Sequence, residues 1–201
     1  MSHPLRCRCG TLQGRVSHPE RASRGVCYCK DCQAFAHFLG RPGDMLDEMG
    51  GTDVVATLPK HVTFTQGVEA MACMSLSETG MLRWYAGCCN TPIGNTPRNF
   101  KLSHVGLVHT CLHDPSITLD SSFGPVRMRV NTQSARGRPK SMPLSTIASV
   151  SRFMASLARA RVDGSYSNTP FFTAARGPPV VTPKVLSRGE REQLMAAVAG
   201  A

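Results

Sequence analysis

The residues with the most chemistry to offer are Cys27-Tyr28-Cys29-Lys30-Asp31-Cys32. Three thiols fall within six residues, at C-x-C-x-x-C spacing. Thiolates at such spacing select soft or borderline metal ions. A second pair, Cys7-Arg8-Cys9, lies upstream, and a third, Cys88-Cys89, lies downstream, so seven of the nine cysteines are clustered. The two-residue knuckle between Cys29 and Cys32 lets two thiolates wrap one ion. Cys27 shares a face with Cys29 if the chain there is extended. Three protein ligands with an open fourth position is the pattern of catalytic zinc. Cys27, Cys29 and Cys32 are therefore the candidate catalytic centre. The plainer alternative is a closed structural site whose fourth ligand is His37, Cys73 or Cys111. Cys7, Cys9, Cys88 and Cys89 together make the four thiolates of a tetrahedral structural site. That site ties the N-terminus to a point about eighty residues on, and a metal closing so long a loop contributes folding free energy. Two zinc ions are expected.

The elements that must position these groups read mainly as β. Leu5-Arg6-Cys7-Arg8-Cys9-Gly10 is a strand end running into a glycine turn, and Thr11 to Val16 a short strand. Gln33 to Gly40 reads as one or two helical turns closed by glycine. A meander follows: Asp53–Leu58, His61–Thr65, Ala70–Leu76 and Met81–Tyr85, separated by Pro59, Gln66-Gly67 and Ser77-Glu78-Thr79-Gly80. Cys73 sits among apolar neighbours and reads as core. His109, Cys111 and His113 share one face if that run is extended; a strand at a core wall is the plain reading, metal contact the sharper one.

The 201 residues carry a formal charge of +10, which favours anionic partners and says nothing of fold. The N-terminus shows no signal-peptide apolar stretch, and no run is long enough to span a bilayer. A cytoplasmic protein that makes no use of a membrane is expected. In that reducing setting clustered cysteines read as metal ligands before disulfides.

The order of these motifs resembles the glutathione-dependent formaldehyde-activating enzyme family, which includes centromere protein V. The matching pieces are Cys7-Arg8-Cys9-Gly10, Cys27-Tyr28-Cys29-Lys30-Asp31-Cys32, and Arg83 through Gly94 with its Cys88-Cys89-Asn90-Thr91-Pro92. The resemblance covers roughly residues 5 to 125. It implies a β-tent of antiparallel sheets. It implies a structural zinc on Cys7, Cys9 and Cys89, and a catalytic zinc on Cys27, Cys29 and Cys32. It also implies carbon–sulfur lyase chemistry on a glutathione–aldehyde adduct. The chain departs from the family's final C-x-x-C-G: Ala86 stands at the first cysteine, Asn90 at the glycine, and Cys88 is extra. Cys88 can replace the missing ligand, at the cost of a strained backbone between neighbouring cysteines. Lys30 and Arg24 flank the triplet as charge partners for thiolates or a substrate carboxylate, or as plain solvated surface.

Residues 1–125 are expected to form the zinc domain and 126–201 a basic helical extension. From Ser121 to Val162 there are eight Lys/Arg and no Asp or Glu. Pro143 to Ala160 reads as a helix, with Leu144, Ile147, Val150, Phe153, Met154 and Leu157 at helical spacing. Its apolar stripe is expected to dock on the zinc domain. Ser187-Arg188-Gly189-Glu190 opens a last helix through a capping box, and Tyr166 to Pro183 reads as a linker or extended wrap. Two functions follow: a zinc-dependent carbon–sulfur lyase-like enzyme using a small thiol, or a non-catalytic zinc module for protein or nucleic-acid interaction. Few aromatics interleave the cations, so base stacking is not supported.

Overall fold

In a computed structural model, which describes residues 2–173 and 177–200, the chain is mainly β, with two sheets and a few helices. The strands in chain order are β1 (Ser2–Arg6), β2 (Gln13–Ser17), β3 (Ser23–Cys27), β4 (Thr52–Thr57), β5 (Val62–Gln66), β6 (Met71–Ser75), β7 (Leu82–Ala86), β8 (Thr91–Thr96), β9 (Val105–Val108), β10 (Met128–Val130) and β11 (Lys184–Val185). The helices are α1 (Lys30–Phe38), α2 (Pro42–Met45), α3 (Leu119–Phe123), α4 (Pro143–Val162) and α5 (Arg188–Ala199). The small sheet has the order β1-β2-β5, and the large one β10-β3-β4-β9-β8-β7-β6-β11. All pairings are antiparallel except the two outermost of the large sheet, β10 on β3 and β11 on β6. The expected architecture of antiparallel sheets with C-terminal helices holds. The parallel edge strands are an addition, each too short to show a period in sequence.

Alternation along β7 explains how the layers form. Leu82, Trp84 and Ala86 face a core filled from the small sheet by Leu5, Val16 and Val62. The intervening Arg83 and Tyr85 face the other way. There Tyr85 meets Phe35 and Phe38 of α1 edge-on, with centroids 6.4 and 5.8 Å away. A second core forms on that side from Phe35, Leu39, Met45 and Met74, closed by Leu186 and Val198 of the C-terminal segment. The large sheet is thus covered by the small sheet on one face and by helices on the other.

Residues 126–201 are woven into this body. They supply a strand to each edge of the large sheet. The segment read as a linker, of which 174–176 lie outside the described residues, places Phe171 in the first core. Its ring lies 5.2 Å from Trp84 and 5.8 Å from Phe64. The capping box at Ser187 and Glu190 is present. Two expectations need correction. His109 to Leu112 is a tight 3-10 turn after β9, so His109, Cys111 and His113 do not share a strand face; the Cys111 thiol bonds the Val108 and Ile93 carbonyls instead. Only part of the α4 stripe docks: Phe153 and Leu157 are half-buried, with the Phe153 ring 5.1 Å from that of His104. Ser149 and Ala160 are buried, whereas Leu144 and Ile147 are 83% and 64% exposed and Met154 faces solvent. Small residues permit the closer approach of helix to sheet edge, where the Arg129 N–H donates to Thr146 Oγ1 at 3.4 Å. No helix among the described residues is long and apolar enough to cross a membrane.

Phe171→Ala should therefore cost about 3–5 kcal/mol of stability as a core cavity, and Leu144→Ala under about 0.5 kcal/mol as a surface change. Denaturant unfolding of the two variants checks the ranking.

Candidate metal centres

The chain gathers Cys7, Cys9, Cys88 and Cys89 into one group and Cys27, Cys29 and Cys32 into another. In the first group the sulfurs of Cys7 and Cys9 are 3.5 Å apart, Cys9 and Cys88 3.3 Å, Cys7 and Cys88 3.9 Å, and Cys88 and Cys89 3.8 Å. Four thiolates bound to one ion at about 2.3 Å would stand about 3.8 Å from one another. The residues present fit a tetrahedral ion.

Each half of this group is built on a turn. After β1 the chain reverses, with the Gly10 N–H bonding the Cys7 carbonyl and Gly10 at φ +80. Cys7 and Cys9 therefore converge through a knuckle at the glycine turn that the sequence indicates. The Leu12 N–H points at the Cys7 sulfur from 3.2 Å. The Thr11 hydroxyl and backbone hold the Cys9 thiol down at about 6. Cys88 and Cys89 occupy the tight turn between β7 and β8, where Ala86 pairs with Thr91. Cys88 joins the group, and Ala86 is buried in the sheet. The left-handed backbone falls on Asn90, at φ 53, and not on the cysteines. Asn is among the few non-glycine residues that tolerate this region.

The second group sits where β3 ends and α1 begins. Each of its sulfurs meets one N–H donor. Asn131 Nδ2 lies 3.3 Å from Cys27, the Cys32 backbone N–H 3.4 Å from Cys29, and Arg83 Nη1 3.8 Å from Cys32. Cys29 is the N-cap of α1; hydrogen bonding with Cys27 and Cys32, together with burial, pushes its thiol up, so the charge of the group falls on Cys27. Gln33 holds the frame together by donating to the Tyr28 and Ser134 carbonyls, so the loop carrying Asn131 stays against the triplet. Cys27 and Cys32 are 3.9 Å apart, again a tetrahedral edge. His37, Cys73 and Cys111 do not join either group. Among the described residues the triplet has no fourth protein ligand of the Cys, His, Asp or Glu type.

Arg83 is the residue that sequence reading missed here. Its guanidinium is 4% exposed, 3.8 Å from the Asp31 carboxylate, with its carbon 5.5 Å from the Phe35 centroid. Burial alone would lower its pKa, but the Cys32 and Cys29 sulfurs raise it, and the net shift is upward. Cys27 is pushed down to about 2, chiefly by hydrogen bonds from the Cys29 and Cys32 thiols. The flanking cations named from sequence are not the charge partners. Lys30 is exposed. Arg24 donates to Asp53 at 2.7 to 3.1 Å and also pairs with Asp120.

The model of a family described only as a family of unknown function, DUF6151, matches residues 1–180. The chain belongs to the DUF6151 family. No curated protein matches it. The matched span of this DUF6151 member includes both cysteine groups, Arg83 and Asn131.

Replacing Arg83 by Gln should weaken metal binding at the triplet by roughly 10–100-fold, as removal of an outer partner does, while the four-cysteine group keeps its ion. Metal analysis after dialysis against a graded chelator checks this, with circular dichroism reporting the fold.

Proposed function

We propose that this protein binds two zinc ions, one structural on Cys7, Cys9, Cys88 and Cys89, and one functional on Cys27, Cys29 and Cys32. The functional centre is read as that of a carbon–sulfur lyase-like enzyme acting on adducts of a small thiol, of the glutathione type, with an aldehyde. The observation that carries this reading is the contrast between a group with four thiolates and a group with three. The resemblance of the motif order to the formaldehyde-activating family points the same way.

When bound, the ion lowers the pKa of an incoming thiol, so that a thiolate is available at neutral pH. The rest falls to the protein. Cys27, Cys29 and Cys32 would hold the ion, and the substrate sulfur would be its fourth ligand. Asn131, the first turn of α1 and Arg83 fix the three sulfurs through their N–H groups. Three thiolates and a divalent ion leave one net negative charge, and the Arg83 guanidinium offsets it. In the adduct-forming direction the substrate sulfur bonds to the carbonyl carbon, the C=O π bond breaks, and the thiol proton ends on the resulting hydroxyl. No oxidant, reductant or further reactant is needed. The reverse direction releases thiol and aldehyde.

The test is exchange of labelled formaldehyde with its glutathione adduct, followed by NMR with the zinc-loaded protein. Wild type should accelerate exchange, and Cys29→Ala should fall to the uncatalysed rate. Acceleration that survives Cys29→Ala refutes the assignment. Absence of acceleration in wild type moves the reading to the non-catalytic zinc module.

A further inference from the structure

A concavity of about 890 Å³ lies away from both cysteine groups. Its walls come from the start of β3, the turns at Glu20–Arg21 and Lys60–His61, α3, Arg127 and one face of α4. Six Lys or Arg residues line it against two carboxylates. Arg24 is consumed by Asp53 and Asp120, and Arg21 faces Glu20 at 3.8 Å. Lys60 donates to the Ser165 hydroxyl and meets neither carboxylate in an ion pair. Arg127, Arg152 and Arg159 take part in none of the ion pairs among the described residues.

Cations on an open surface diverge into water; these converge on one recess. Arg152 and Arg159 are two turns apart on the same side of α4 and face the wall that carries Arg127. A cleft lined by one sign of charge focuses the field within it. Guanidinium forks suit phosphate oxygens in particular. The recess also has an apolar side, made by Leu58, Phe123 and Phe153. Its volume falls in the range of about 300–1,000 Å³ usual for small-molecule sites. We propose that this cleft binds a small organic phosphate: a multiply charged phosphate ester or anhydride carried on an apolar or aromatic body. The site is separate from the triplet. Arg24 and Arg127 stand at one end of the β3–β10 ladder, and Cys27 and Asn131 at the other, about 10 Å apart at 3.3 Å per residue.

Isothermal titration of the zinc-loaded protein with adenosine diphosphate and with inorganic pyrophosphate, at physiological salt, tests the assignment. The controls are Arg152→Gln/Arg159→Gln and, separately, Arg127→Gln; all three positions are exposed, so the fold should survive. Saturable binding of adenosine diphosphate is expected, with pyrophosphate weaker because it lacks the apolar body. The double variant should raise the dissociation constant at least tenfold with zinc content unchanged. Three results would overturn the proposal: no diphosphate binding, equal affinity in wild type and both variants, or a single-stranded decanucleotide that binds more tightly than adenosine diphosphate and is lost in the same variants. The last would make the cleft part of a nucleic-acid surface.

Discussion

A guanidinium that is 4% exposed has to be answered by negative charge, and that constraint organises the centre of this protein. Arg83 has one carboxylate within reach, Asp31 at 3.8 Å, and that group is half exposed. Its remaining acidic neighbours are the sulfurs at the start of α1, Cys32 at 3.8 Å and Cys29, and both raise its pKa. The dependence runs both ways. Three thiolates around a divalent ion carry an excess negative charge, which an apolar wall would not tolerate. The strand that delivers Arg83 is pinned by Leu82, Trp84 and Ala86 in the opposite core, so the guanidinium is placed by packing on the far face of the sheet.

The two cysteine groups are built by different local means. The four-cysteine group joins two reversals of the chain, the knuckle after β1 and the turn between β7 and β8, and so holds the N-terminal strand to the meander. The triplet joins a strand end to a helix start and borrows Asn131 from a segment about a hundred residues away. That segment is held by β10 against β3 and by Gln33. The C-terminal third therefore belongs to the centre's support. Phe171 in the first core and Leu186 and Val198 in the second show the same weaving.

The cysteine groups were legible because their spacing is short, and the strands because their alternation is local; their pairing was not, since β4 joins β3 and β9 and β5 joins β2, so the expected four-strand meander does not form. Arg83 was not legible as a partner of Cys32. Its place follows from the parity of β7 and from how that sheet face meets α1, which no local pattern carries. Asn131 was hidden for the same reason, since the strand just before it is three residues long and pairs in parallel. The run from His109 to His113 misled because its alternation mimics a strand, whereas the chain turns immediately after Val108. On α4 the helical period was legible, but of the apolar stripe only Phe153 and Leu157 turn inward. Ser149 and Ala160 dock because they are small, a choice that apolar periodicity cannot show.

The central claim is a three-thiolate centre with its fourth position open, beside a closed four-thiolate one. Zinc K-edge X-ray absorption on the purified protein, with the ion content counted on the same sample, reads this directly. The account expects two ions per chain and an average of about 3.5 sulfur ligands per ion, the balance being a lighter atom, with added glutathione raising the average to about 4. A single ion per chain, or a full set of four sulfurs on both ions before any thiol is added, would contradict it.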